Sequence, residues 1–62
     1  MMKEHLIKPG ETLSSIATTY YGHPDAWKYI YAHNRHEIPN PNQLPIGKNI
    51  VLPHINGMEW QC

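Results

Sequence analysis

The sequence predicts an α+β domain in the order strand, helix, helix, strand (βααβ), with a two-stranded antiparallel sheet and both helices packed on one face. Three observations predict it. A loosely alternating stretch opens the chain and a β-branched run, Ile50-Val51-Leu52, closes it; two amphipathic stripes of helical period lie between; and Pro and Gly punctuate every junction. Each strand has only the other as a partner, and a two-stranded ribbon is too weak alone, so the helices must cover it.

Lys3 to Lys8 reads as the first strand, with His5 and Ile7 on its inner face, and Pro9-Gly10 turns the chain. Thr12 stands where a helix N-cap belongs, its hydroxyl free to accept from a backbone N–H one turn on, and Glu11 lies near the positive end of the helix dipole. In the first helix Leu13, Ile16, Ala17 and Tyr20 fall at i, i+3, i+4 and i+7 and form one apolar stripe; Gly22 ends it. Pro24-Asp25 opens the second helix with a rigid first turn, Trp27, Ile30, Tyr31 and Asn34 repeat the spacing, and Asn34 is expected as a left-handed C-cap. The segment Ile38-Pro39-Asn40-Pro41-Asn42 cannot be helical, because each Pro lacks a donor and restricts the residue before it. Gly47 turns the chain into the second strand, which Pro53 ends.

A chain of 62 residues holds one domain with one thin core. Residues 3–53 form the domain and 54–62 a tail, in which Asn56-Gly57 makes a turn and Met58 and Trp60 offer an apolar docking segment; folding of Trp60 back onto its own domain is the competing reading. Five Lys+Arg balance five Asp+Glu without a basic stripe, which argues against a nucleic-acid partner. No stretch has signal-peptide character or membrane-spanning length, so a cytoplasmic product with no membrane partner is expected. Cys62 is the sole cysteine, so no internal disulfide staples the core.

Chemistry is sparse. The five histidines share no recognised ligand motif; His33 and His36, three apart, are a spacing more often found on solvated surface, and no metal or cofactor is expected. Ser14 and Ser15 lie on the outer face of the first helix, away from any buried base, and Glu11 with Asp25 would have no cleft to raise one carboxyl. No enzyme is expected.

The motif Ile7-Lys8-Pro9-Gly10-Glu11-Thr12-Leu13-Ser14-Ser15-Ile16-Ala17, with Tyr21-Gly22, the second-helix residues Trp27, Ile30, Tyr31, Ala32 and Asn34, and Ile38-Pro39-Asn40-Pro41 before Ile50-Val51-Leu52-Pro53, resembles a LysM domain from about Leu6 to Pro53. The chain departs from the family pattern in having Glu11 where Asp is usual, and Ile46-Gly47 where Pro-Gly is usual, with Pro45 one place early. The resemblance implies the βααβ fold and binding of N-acetylglucosamine polymers, peptidoglycan or chitin, in a shallow groove between the loop opening the first helix and the loop leaving the second. Carried over by position, it implies Gly10, Glu11, Thr12 and Leu13 on one side and Ile38, Pro39, Asn40 and Pro41 on the other. Taken singly, the same residues also read as turn, cap and core.

Two non-enzymatic functions are expected. One is a structural or docking component of a phage tail or tail-like contractile injection assembly, with tail, hub or spike proteins as partners and peptidoglycan as a further one. The long form of the motif, with Tyr21-Gly22-His23-Pro24-Asp25, resembles LysM domains of that context, and a chain without an export signal would reach a wall only if a particle carried it. The alternative is a free-standing glycan-binding module.

Overall fold

The computed structural model describes residues 3–58. Its elements are strand β1 (Lys3–Leu6), helix α1 (Leu13–Tyr21), a 3-10 turn (Pro24–Ala26), helix α2 (Trp27–His33) and strand β2 (Asn49–Leu52). β1 and β2 pair antiparallel, with His5 opposite Ile50 and Glu4 opposite Val51. The expected βααβ architecture is therefore the observed one.

The first strand is shorter than the expected Lys3 to Lys8, but its pairing runs on. The Ile7 N–H donates to the Lys48 carbonyl and the Gly47 N–H to the Ile7 carbonyl, both at 2.9 Å, so Ile7 is buried although the regular strand stops at Leu6.

α1 begins as its sequence dictates. The Thr12 hydroxyl accepts from the Ser15 N–H and the Ser15 hydroxyl oxygen accepts from the Thr12 N–H, each at 3.0 Å, so two orphan donors are satisfied reciprocally. Gly22 ends the helix at φ 75°, and its N–H donates to the Thr18 carbonyl. The buried face is Leu13, Ile16, Ala17 and Tyr21 rather than the expected stripe ending in Tyr20. Tyr20 packs at the edge of the core and Tyr21 enters it, donating its hydroxyl to the Pro53 carbonyl. That bond closes the C-terminal end of β2 against α1.

The second helix starts later than Pro24-Asp25 suggests. Pro24–Ala26 form one tight 3-10 turn and regular α-helix begins at Trp27. Asn34 does cap α2, but at φ −117°, not in the left-handed region. Its side chain has a different task. Nδ2 donates to the Ile30 carbonyl at 2.8 Å and to the Val51 carbonyl at 2.7 Å, while Oδ1 accepts from the Val51 N–H at 2.9 Å. An extended residue points its N–H and C=O the same way, so Asn34 pairs the edge of β2 that β1 does not reach, as a one-residue substitute for a third strand. Only 3% of Asn34 is exposed, and every polar atom it buries there has a partner.

The core comprises Ile7, Leu13, Ile16, Ala17, Tyr21, Ala26, Ile30, Ile38, Ile50 and Leu52, with Trp27, Tyr31, Leu44, Ile55 and Met58 packed around it. Among the described residues, no helix is long and apolar enough to cross a membrane.

Candidate functional site: a groove between two loops

The loop opening α1 and the loop leaving α2 approach one another because each is anchored to the core by one apolar side chain, Leu13 and Ile38. Between them lies a groove of ≈ 380 Å³ lined by Glu11, Thr12, Leu13, Ser14, Trp27, Pro41, Asn42 and Leu44. Its size falls within the roughly 300–1,000 Å³ of ordinary small-ligand clefts.

Half of the eight residues expected at a glycan site line this groove: Glu11, Thr12 and Leu13 on one side and Pro41 on the other. Gly10, Pro39 and Asn40 do not line it. Gly10 turns the chain at φ 85°, and the Asn40 side-chain oxygen accepts from the Asn42 N–H at 2.9 Å, fixing the bend that presents Pro41 and Asn42. Ile38, expected as an apolar wall, is fully buried. It holds the loop to the core and offers nothing to a ligand.

Trp27, Ser14, Asn42 and Leu44 were not among the expected site residues. Trp27 was legible only as a member of the apolar face of α2. Being half-buried, it serves the core with one part and the groove with another, and periodicity cannot divide a side chain between two roles. Leu44 carried no sequence signal.

The groove is apolar at Leu13, Leu44, Trp27 and Pro41 and polar at the Thr12 and Ser14 hydroxyls and the Asn42 amide. Its one ionisable member is Glu11. The Glu11 carboxylate accepts from the Lys8 N–H at 2.7 Å and from His5 Nε2 at 2.8 Å. Burial alone raises its carboxyl, but the hydrogen bonds from His5 and the Lys8 amide, with the charges of both residues, outweigh burial and hold it below the ordinary 4.5. No acid with a raised pKa faces the groove, and the serine of the groove has no histidine bonded to it.

A second depression of ≈ 450 Å³ is flatter and lined by Tyr29, Ala32, His33, Pro53, His54, Ile55 and Asn56. It shares no residue with the groove. Met58, expected to dock on a partner, is half-buried against the domain's own core after the Asn56-Gly57 turn, where its N–H donates to the Ile55 carbonyl. Trp60, the other expected docking residue, lies outside the described residues. Among the described residues, no three His, Cys, Asp or Glu side chains cluster closely enough to hold a metal ion.

Comparison with known proteins agrees with this geometry. A family model described as LysM domain matches residues 5–53, from the His5 strand to the proline that ends β2. Neither the curated proteins nor the solved structures gave a significant match. With a βααβ fold, a groove between the two expected loops and a family match over most of its length, the chain belongs to the LysM domain family, whose members are generally non-catalytic binding modules and whose membership points to peptidoglycan or chitin binding.

Proposed function

We propose that the protein is a non-catalytic module that binds N-acetylglucosamine-containing polymers in the groove between the α1-opening loop and the α2-leaving loop. The observation that carries this reading is the lining of that groove. Large apolar side chains, Trp27, Leu44 and Pro41, lie beside small hydroxyl and amide groups, Thr12, Ser14 and Asn42. A pyranose ring has apolar C–H faces and polar edges, and an acetamide adds a methyl group with one donor and one acceptor. Such a ligand needs both kinds of surface within one sugar's length.

The test is binding of N-acetylglucosamine oligomers by the purified domain, followed by Trp27 fluorescence in a Trp60→Phe background, with pull-down on insoluble peptidoglycan and chitin. Saturable binding is expected. Ser14→Arg and Asn42→Arg replace exposed residues on opposite walls and are expected to weaken binding at least about tenfold, the loss of roughly 1.4 kcal/mol. No binding by the wild-type domain to either polymer defeats the reading.

A second reading concerns where the module works: as a docking part of a phage tail or contractile injection assembly, made in the cytoplasm and carried in a particle. The extended motif Tyr21-Gly22-His23-Pro24-Asp25 supports it, as does the flat depression around Tyr29, Pro53 and Ile55, which leaves a surface free for a protein while the groove holds sugar. Tail, hub or spike proteins are the expected partners. Copurification with them, lost on Tyr29→Lys, supports this reading; only free monomer in the producing cell opposes it.

A further inference from the structure

Three side chains far apart in sequence meet behind the groove. His5 of β1 places Nε2 2.8 Å from the Glu11 carboxylate and Nδ1 3.0 Å from the Tyr20 hydroxyl of α1, and the His5 and Tyr20 rings meet edge to face with centroids 5.4 Å apart. The same Glu11 oxygen accepts the Lys8 N–H. The side chain of His5 is only 11% exposed and that of Glu11 26%.

We propose that His5, Glu11 and Tyr20 form a polar latch that holds the Lys8 to Thr12 loop against the sheet and α1, and so sets the position of the groove wall. Its effect on ligand affinity rests on the glycan reading above; the latch itself does not. The protonation states follow from the partners. An ionised carboxylate can only accept, so Nε2 carries a proton. In the neutral ring Nδ1 is then bare and accepts from the Tyr20 hydroxyl. When His5 takes up a second proton, Nδ1–H donates and the tyrosine oxygen accepts instead. The Tyr20 hydroxyl thus serves either state without moving, while the His5 to Glu11 bond becomes a charge-assisted pair.

Other charges around the latch are few. The loop supplies Lys8, whose charge acts on Glu11; α1 supplies Tyr20; and β2 sets the apolar Ile50 opposite His5. Among the described residues, Glu11 supplies the carboxylate that faces His5. The latch weakens as pH falls far enough for Glu11 to take up its proton. The length of Glu11 matters as well. Aspartate in its place would carry the carboxylate one methylene less far from the backbone. Glutamine keeps an acceptor oxygen at the same reach without the charge.

The experiment has a ligand-free arm and a ligand arm. In the first, a pH titration by NMR follows the Lys8 amide and the His5 ring. The Lys8 amide shift is expected to track the titration of both His5 and Glu11 in the wild type, and to lose its response to histidine in His5→Phe. A Lys8 amide indifferent to both groups overturns the latch. In the second, N-acetylglucosamine oligomer binding is measured for His5→Phe, Glu11→Ala, the double variant and Glu11→Gln. The two single variants are expected to weaken binding roughly threefold to tenfold while retaining cooperative thermal unfolding, and the double variant by less than the sum of the two, because the His5 to Glu11 bond is lost in both. Glu11→Gln is expected to regain most of the affinity and to flatten its dependence on pH. Full affinity in His5→Phe, or additive losses in the double variant, overturns the positioning role. A wild-type domain that binds no oligomer while its Lys8 amide still tracks both titrations supports the latch and refutes the glycan reading instead.

Discussion

Replacing Asn34 with alanine should test the fold at its most polar buried point. The change removes three hydrogen bonds, to the Ile30 carbonyl and to both backbone groups of Val51. Each such bond is worth about 1 kcal/mol net, so the direct loss is about 3 kcal/mol. Water cannot readily repay it, because Asn34 is 3% exposed. A domain of 62 residues has a total stability of roughly 3–9 kcal/mol, so Asn34→Ala should remove a large fraction of it. The expected fall in Tm is about 12–24 °C. Thermal and urea unfolding followed by circular dichroism measure it, with Asn34→Asp as the control of nearly equal shape. Aspartate can still accept from the Val51 N–H but sets an oxygen against the Ile30 and Val51 carbonyls, so it should be no more stable than alanine. A loss below about 1 kcal/mol for Asn34→Ala, or wild-type stability for Asn34→Asp, would refute the view that this side chain completes the sheet. Because the Asn34 carbonyl also accepts the Glu37 and Ile38 N–H groups, amide exchange in the loop toward Pro41 should accelerate in both variants.

Further outcomes follow from two single residues. Burial pushes the Tyr21 hydroxyl up from 10.0 to about 12, so its contribution to stability is fully present below about pH 10 and is lost as pH rises toward 12; an ultraviolet titration should show one of the four tyrosines ionising late and together with unfolding. Tyr21→Phe, which keeps the ring and drops the bond to Pro53, should cost about 1 kcal/mol and abolish that late step. Gly22→Ala puts a Cβ on a residue at φ 75° and should cost about 1–2 kcal/mol in chemical denaturation while leaving oligosaccharide binding unchanged, since Gly22 does not line the groove.

The element order, the Thr12 cap, the Gly22 stop and the non-helical Pro39 to Pro41 segment were all legible in the sequence. Each is governed by partners within one helical turn or by the fixed torsions of proline and glycine, so neighbouring residues suffice to specify it. Which tyrosine enters the core was not legible. Tyr20 and Tyr21 follow Ala17 by three and four residues, and either spacing fits an apolar stripe; the choice depends on how α1 is rotated against the sheet. The misreading of Asn34 has the same origin. Asn commonly ends helices through left-handed geometry, but here its partner is Val51, 17 residues away, and only the path of the chain brings the two together.

The groove divides along the same line. Sequence alone determined the two ordered loops, one before α1 and one after α2, because Pro and Gly fix their torsions locally, and the LysM resemblance it carries implied a groove between them. Tertiary structure alone decided that Ile38 turns inward, that Trp27 and Leu44 reach the groove, and that His5 bonds to Tyr20 across 15 residues and to Glu11 behind the wall. Local sequence fixes backbone torsion, whereas the facing of a side chain is set by whatever the rest of the chain packs against it.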